Sequence, residues 1–256
     1  MKLTWKIWLY LGLTLLSVLM VGILFVANID TTLLTQDFLF AISILPLQVG
    51  LTTLILDLLL ERRVKQERLE KMNMVIGVFF SEVGVELLHR VSPRDADIES
   101  IRGQLMVNNQ WTPADFSSAV KMLSGHQFKV DMGVADLLET RNLMGRQRSL
   151  LVQLLENPIL MEHETFTNSL RAVFHMTEEL QYRKSIESLP DADIAHLNGD
   201  VARAYGLLIG EWVSYLAYLK DNYPYLFSLA VRTNPFDINA SPEIKQPVTP
   251  VSIVSK

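Results

Sequence analysis

The chain has 256 residues, 49% of them hydrophobic, and a formal net charge of -5. It contains no cysteine, which excludes disulfides, thiolate metal sites and cysteine nucleophiles. The mild net charge, without a basic arm, excludes the usual electrostatic footprint of nucleic-acid binding, and the small numbers of glycine (12) and proline (10) favour helix.

The first predicted element is a membrane-spanning helix at residues 7–27. This stretch has no charged residue, and about 20 apolar residues suffice to cross the hydrocarbon core. The alternative is a cleaved signal peptide, whose apolar region would be about 7–15 residues long and would end in small residues. Here the run is longer, and Phe25 stands where a small residue would precede cleavage after Ala27. We therefore predict a retained membrane helix.

A second predicted span covers residues 38–60. Pro46 lies inside it and is expected to kink the helix, which membrane helices tolerate. Gln48, Thr52 and Thr53 are expected to face the first helix, where they could hydrogen-bond across the pair. Asp57 is a candidate for proton or ion handling, although one further turn of helix would let it reach the interface.

The distribution of basic residues predicts the orientation of this hairpin. The short loop between the spans has two aspartates and no lysine or arginine, whereas Lys2 and Lys6 precede the first span. Five cations follow the second span: Arg62, Arg63, Lys65, Arg68 and Lys71. The positive-inside rule then places both chain ends in the cytoplasm of a multi-pass cell-membrane protein. The same five cations could also bind anionic headgroups.

The stretch "LILDLLLERRVKQERLEK", residues 54–71, passes from apolar to charged without a glycine or proline. Apolar residues continue beyond it at intervals of three and four, which indicates one helical stripe. We predict that the helix continues unbroken to Val91, where "SPRDAD" supplies a stop and a new helix start. It could transmit movement from the membrane or act as a plain tether.

Residues 61–232 are predicted to form a cytosolic all-α domain. Thr112, Pro113 and Asp115 have the pattern of a helix start, and further helices are expected at residues 133–156 and from His163 to just before Pro190. "HETFTN" at His163 faintly resembles the phospho-accepting box of sensor histidine kinases, but no ATP-binding domain follows. A capping role for His163 is therefore the preferred interpretation.

The clearest pattern in the chain predicts the central helix of the bundle. Its apolar positions recur at intervals of three or four: Ile194, Leu197, Val201, Tyr205, Leu208, Trp212, Tyr215 and Leu219. A row of small residues runs beside them: Ala202, Gly206, Gly210 and Ser214. Small residues let a neighbouring backbone approach closely, so this helix is expected to be contacted from two sides. Residues 233–256 contain four prolines and little periodicity, which predicts a disordered tail.

Catalytic motifs are absent from the sequence: there is no phosphate-binding glycine loop, no GxSxG and no HExxH. Some histidines and acids do recur at helical spacing, which could hold Zn, Mn or Fe. The candidate metal ligands are Glu82, Glu86, His89, His175, Glu179, His196 and Asp200. The alternative is that they form ordinary exposed helix faces with local ion pairs. We predict no cofactor and assign no catalytic residue.

Three stretches, "MNMVIGVFFSEVG", "FTNSLRAVFHMTEEL" and "YPYLFSLAVRTNPF", resemble prokaryotic membrane proteins of uncharacterised activity that have two spans and a helical cytosolic region. The resemblance covers roughly residues 50–240. It implies the architecture already described, a two-helix transmembrane hairpin at residues 1–60 followed by a helical domain, and it implies no activity.

These patterns together favour a membrane-anchored interaction, signalling or scaffold module over an enzyme. Its expected partners are the lipid bilayer and either a second copy or another protein, bound through the cytosolic helices. A small transporter or channel component is one alternative, and a metal-dependent carboxylate-bundle enzyme is another.

Overall fold

The structure is a computed structural model that describes residues 2–27 and 33–243. Within these ranges the regular structure is helical, apart from one isolated antiparallel bridge between Asp95 and Val130. The α-helices are α1 (Lys2–Ala27), α2 (Leu33–Phe79), α3 (Val85–Val91), α4 (Ile98–Ile101), α5 (Pro113–Ser124), α6 (Val134–Leu155), α7 (Glu164–Tyr182), α8 (Asp191–Asn222) and α9 (Pro224–Arg232). The all-α prediction is confirmed.

The chain divides into two compact units, residues 1–69 and 70–256. In the first unit α1 packs against α2 along a seam of small and polar residues. The Ser17 hydroxyl donates a hydrogen bond to the Ser43 carbonyl, and both side chains are buried. Gly50 lies opposite Leu13, whose Cδ1 is 3.5 Å from the position a Cβ would take. Small residues at the seam therefore let the two helices approach closely.

One end of this seam is held by an ionic contact. The Asp57 carboxylate accepts hydrogen bonds from Lys6 Nζ at 2.8 Å and from the Tyr10 hydroxyl at 2.9 Å. The prediction that Gln48, Thr52 and Thr53 face the first helix is wrong for Gln48 and Thr52, because both side chains are exposed. Thr53 is half-buried, and its hydroxyl donates to the Val49 carbonyl of its own helix rather than across the pair. The seam on α2 passes instead through Ser43, Gly50 and Asp57, which share one side of the helix.

The outward faces of these helices are apolar. Two helices, α1 and α2, are long and apolar enough to cross a membrane by length and composition. Their large apolar side chains are mostly exposed within the chain; Trp8 is 73% exposed and Leu15 is 67% exposed.

The helix that leaves the second apolar run does pass through the charged stretch, as predicted, because α2 extends to Phe79. A five-residue π-helical turn, Phe80–Gly84, then precedes α3. The helix therefore continues to Val91 as predicted, with one π-helical turn inside it. The wider turn lets the consecutive rings of Phe79 and Phe80 both be buried, and the ring atoms of both lie within 3 Å of where a Gly84 Cβ would stand.

The second unit is a helical domain built around α8. This helix contacts α3, α5, α7 and α9, and its predicted apolar stripe is buried at Val201, Leu208 and Trp212, among others. On the small-residue face, the ring of Phe128 from the loop after α5 covers Gly206. Among the described residues, none outside helix α8 places an atom within 4 Å of where a Gly210 Cβ would stand. The central position of α8 is confirmed, and the small residues admit an aromatic side chain rather than a helix.

Two predicted helix starts have the expected caps. Thr112 and Asp115 form a reciprocal capping box with Pro113 at the first helical position. His163 caps α7, since its Nδ1 accepts the Phe166 N–H at 3.2 Å. The predicted end of that helix is wrong: α7 stops at Tyr182, because Arg183 adopts an extended backbone conformation.

The tail predicted to be disordered from residue 233 is ordered for its first part, so that prediction is wrong for residues 233–243. Asn234 is buried and its amide donates to the Leu105 carbonyl at 2.8 Å. Phe236 is 1% exposed and packs edge-on against Trp212 with ring centroids 5.3 Å apart. Sequence periodicity missed the segment because single anchors hold it rather than a helix. Residues 244–256 lie outside the described ranges.

Candidate functional site

Two helices of the domain bring histidines and acids together. On α7, His175 and Glu179 are four residues apart, and on α8 His196 and Asp200 are four apart, so each pair lies on one face of its helix. The packing of α7 against α8 turns these faces toward each other. We call these four side chains the α7–α8 cluster.

Both imidazoles of the cluster lie close to the same carboxylate oxygen, Asp200 Oδ2. Asp200 Oδ2 lies 3.5 Å from His196 Nε2 and 3.7 Å from His175 Nε2. Glu179 Oε2 lies 3.6 Å from His196 Nε2. One possible ligand atom each from Glu179, His196 and Asp200 falls within 4.8 Å of the others.

Asp200 is the buried member of the cluster. Its side chain is only 2% exposed, and Oδ2 has no hydrogen-bond partner among the described residues. A buried carboxylate oxygen without a hydrogen-bond partner is costly, and a bound cation would offset that cost. Its other oxygen, Oδ1, lies 3.3 Å from Arg203 Nη1, and this contact holds Oδ2 toward the two imidazoles.

A second ionic group borders the cluster on one side. The Arg183 guanidinium donates to both oxygens of Asp193, at 2.9 and 2.7 Å, and to Glu179 Oε2 at 2.6 Å. These hydrogen bonds lower the pKa values of Glu179 and Asp193 below their ordinary range. Glu179 is therefore ionised at neutral pH and can act as an anionic ligand.

The cluster has the dimensions of a metal site with nitrogen and oxygen ligands. Ligand atoms about 2.0–2.1 Å from a tetrahedral zinc ion lie about 3.4 Å apart. Three imidazole–carboxylate pairs of the cluster are 3.5–3.7 Å apart, and Glu179, His196 and Asp200 form the group whose ligand atoms all lie within 4.8 Å of one another. His175, 3.7 Å from Asp200, lies outside this group of three and would have to move to become a fourth ligand. Two imidazoles and two carboxylates suit Zn²⁺ and also Mn²⁺ or Fe²⁺.

The structure separates the seven predicted ligands into two groups. His175, Glu179, His196 and Asp200 come together, although they lie on two helices and up to 25 positions apart in the sequence. The others, Glu82, Glu86 and His89, are exposed on the π turn and α3. Glu86 there lies 3.5 Å from Arg90, in a local pair one helical turn away.

Sequence reasoning missed the two arginines that border the α7–α8 cluster. Arg183 was expected inside the α7 helix, and its exit from the helix is what directs it toward Asp193. The second arginine could have been found from the sequence, because Arg203 follows Asp200 by three residues, a spacing at which an acid and a base on one helix pair.

Comparisons with known proteins agree with the helical architecture. A family model described as "Uncharacterized protein MJ1433, C-terminal helical domain" matches residues 68–232. The chain is also 40% identical over 225 residues to the Methanocaldococcus jannaschii protein named "Uncharacterized protein MJ1433", with 88% of this chain and 90% of that one covered. No solved structure matches. The chain therefore belongs to the family of the MJ1433 C-terminal helical domain.

Proposed function

We propose that this protein is a membrane-anchored helical interaction module that binds a divalent transition-metal ion at its α7–α8 cluster. The observation that carries the proposal is the meeting of two imidazoles around Asp200 Oδ2, which is buried and has no hydrogen-bond partner among the described residues. The module is proposed to lie on the cytoplasmic side of the cell membrane, with both chain ends on that side.

The anchor is supported by the first unit. Its helices expose large apolar side chains on their outer faces and bury serine between them, which suits lipid better than water. The excess of basic residues before and after the hairpin supports the orientation. Asp57 is already bound by Lys6 and Tyr10, which favours a structural role over ion transport for this acid.

Metal binding would tie α7 to α8, because each helix supplies one histidine and one acid. Carboxylates that bind metals are themselves commonly held by a neighbouring polar group, and Arg203, 3.3 Å from Asp200 Oδ1, is placed to hold Asp200 in this way. The His175 and His196 side chains are 50% and 55% exposed, so a ligand from a partner molecule could reach the ion. This exposure favours an interaction site over an enclosed catalytic one.

The test is metal titration of the full chain, purified in detergent and stripped of metal. Zn²⁺ is added in a calorimeter, and Co²⁺ is added separately because its visible spectrum reports coordination geometry. We expect one saturable site per chain, and each of His196→Ala and Asp200→Asn should weaken binding at least about tenfold, since each removes a ligand. His89→Ala, an exposed histidine outside the cluster, is the matched control and should bind as the parent does.

Metal binding should also raise the thermal unfolding temperature of the parent and the His89→Ala variant. A ligand at about 100 times its dissociation constant stabilises the folded state by about 2.7 kcal/mol. If neither ion binds stoichiometrically, or if His89→Ala weakens binding as much as His196→Ala does, the metal proposal is wrong.

A further inference from the structure

The helical domain has a second feature, a cavity of about 420 Å³ among α2, α8 and α9, away from the residues of the α7–α8 cluster. Small-molecule sites usually measure about 300–1,000 Å³. Its walls include four tyrosines, Tyr215, Tyr218, Tyr223 and Tyr225, and one carboxylate, that of Glu70. We call this space the tyrosine cavity.

The tyrosine rings stand at steep angles to one another. The rings of Tyr218 and Tyr223 have centroids 5.9 Å apart and planes tilted by 55°, and those of Tyr223 and Tyr225 are 6.3 Å apart at 90°. Four tyrosine rings lining one space give a bound ligand several aromatic surfaces to contact. The face of an aromatic ring carries partial negative charge and attracts a cation.

The charged side chain that lines the cavity is acidic. Neither lysine nor arginine is among the described residues that line it, whereas Glu70 contributes a carboxylate. Burial raises the pKa of Tyr218 to about 12, with Tyr223 and Glu70 adding to the effect. Its hydroxyl oxygen is buried and has no hydrogen-bond partner among the described residues.

The remaining lining is apolar. Met74, Val78 and Leu226 contribute aliphatic surface, and Met74 is 68% exposed. A bare metal ion prefers several oxygen or nitrogen ligands, and a single carboxylate does not supply them. A cation that carries methyl groups can place them against tyrosine faces and aliphatic side chains at the same time.

We propose that the tyrosine cavity binds a small organic ammonium ion, of the quaternary or methylated class, with its charge facing Glu70 and the tyrosine rings. This site is distinct from the α7–α8 cluster and does not depend on metal binding there. An ammonium group could come from a free solute or from a phospholipid headgroup. Glu70 would repel the neighbouring phosphate of a headgroup, which favours the free solute.

The experiment is a calorimetric titration of the full chain, in a detergent without an ammonium group, with tetramethylammonium and with choline. The neutral isostere of choline, 3,3-dimethylbutan-1-ol, has the same shape without the charge. Phosphocholine provides the comparison with a lipid headgroup. We expect choline and tetramethylammonium to bind, the neutral alcohol to bind at least about fivefold more weakly, and phosphocholine to bind more weakly than choline.

Two variants assign the binding to this cavity. Tyr225→Leu removes a ring from an exposed position, and Glu70→Gln removes the charge while keeping the size; each should weaken choline binding about fivefold. Tyr182→Leu, at an 80% exposed tyrosine on α7, is the matched control and should bind choline as the parent does.

The proposal is wrong if no saturable binding occurs at millimolar choline, or if the neutral alcohol binds as tightly as choline. It is also wrong if Tyr225→Leu and Glu70→Gln bind as the parent does. Tighter binding of phosphocholine than of choline would overturn the assignment to a free solute. Zn²⁺ titration of Glu70→Gln should be unchanged, which separates this result from the test of the metal site.

Discussion

The two units of this chain use the same apolar residue types in opposite ways. In the helical domain, Leu208 and Trp212 are at most 1% exposed, and they belong to a continuous core. In the hairpin, Leu15 and Val18 are 67% and 69% exposed, while serines are buried between the helices. A unit with apolar groups outside and small polar groups inside is suited to hydrocarbon, whereas the domain is suited to water.

The same contrast explains how each unit is held together. In the domain, burial of large apolar side chains removes surface from water and supplies the main stabilisation. In the hairpin, the contacts between α1 and α2 are a close approach at Gly50, a serine hydrogen bond and the pairing of Lys6 with Asp57. Close packing and polar contacts are the forces available where lipid replaces water, because lipid is as apolar as leucine.

The largest expected effect comes from comparing a leucine buried in the domain core with a leucine exposed on the hairpin. Leu208→Ala leaves a cavity in the domain core and should lower its free energy of unfolding by about 2–5 kcal/mol. Leu15→Ala, on the outer face of the hairpin, should leave domain unfolding unchanged. Urea unfolding of each full-length variant in detergent, with Trp5 and Trp8 replaced by Phe so that tryptophan fluorescence reports only on the domain, gives both values. Equal changes in the free energy of domain unfolding for Leu208→Ala and Leu15→Ala would contradict the contrast between a buried and an exposed leucine.

Two glycines on α8 sharpen the account of the domain's packing. A Cβ at Gly206 would stand 2.6 Å from Phe128 Cδ2, whereas none of the surrounding atoms of the domain comes within 4 Å of one at Gly210. Gly210→Ala should therefore stabilise the domain by about 0.5–1 kcal/mol through helix propensity. Gly206→Ala should destabilise it by about 1 kcal/mol, since the Phe128 ring must move. In urea unfolding, the two substitutions should change the free energy of unfolding in opposite directions. Stabilisation by both would show that the Phe128 ring moves aside without cost.

The smallest effects concern two aspartates of the domain whose pKa values move in opposite directions. Burial raises the pKa of Asp95, whose Oδ2 has no hydrogen-bond partner among the described residues, above its ordinary 3.8. The folded chain therefore holds this proton more tightly than the unfolded chain, and Asp95 destabilises the fold as pH rises above 3.8. Asp95→Asn should raise the melting temperature by a few degrees at neutral pH and leave it nearly unchanged at pH below this value.

Asp193 is the matched comparison for this pH dependence. The hydrogen bonds from Arg183 lower its pKa below 3.8, so its stabilisation is complete above that pH and is lost as pH falls through the lowered value. Asp193→Asn should lower the melting temperature by a few degrees at neutral pH and have less effect in acid. Thermal unfolding of both variants between acid and neutral pH checks the signs, and a shift of the same sign in both would contradict the assigned causes.

Much of the helical framework could be predicted because it depends on local pattern. The two apolar runs, the Thr112 cap and the eight-position stripe of α8 each depend on residues close in sequence. The ordered segment at Asn234 and Phe236 could not be predicted in this way, because its anchors, Leu105 and Trp212, are distant in sequence.

The candidate site illustrates the same limit. The spacing of His196 and Asp200 on one helix could be read from the sequence, and so could that of His175 and Glu179. The sequence could not show that α7 and α8 turn these pairs toward each other, or that Glu86 and His89, with equally suitable spacing, would remain exposed. Helix pairing depends on tertiary packing, which a single sequence pattern does not specify.

The proposed difference in solvent between the two units can be tested directly with spin labels, because the chain has no native cysteine. Single cysteines replace Leu15 or Leu56 on the hairpin and Leu207, 40% exposed, on α8 of the domain, in chains reconstituted into lipid vesicles. Labels at 15 and 56 should be relaxed by oxygen, which concentrates in hydrocarbon, and protected from a water-soluble nickel complex; the label at 207 should show the reverse. Nickel access at 15 and 56 equal to that at 207 would contradict the membrane anchor.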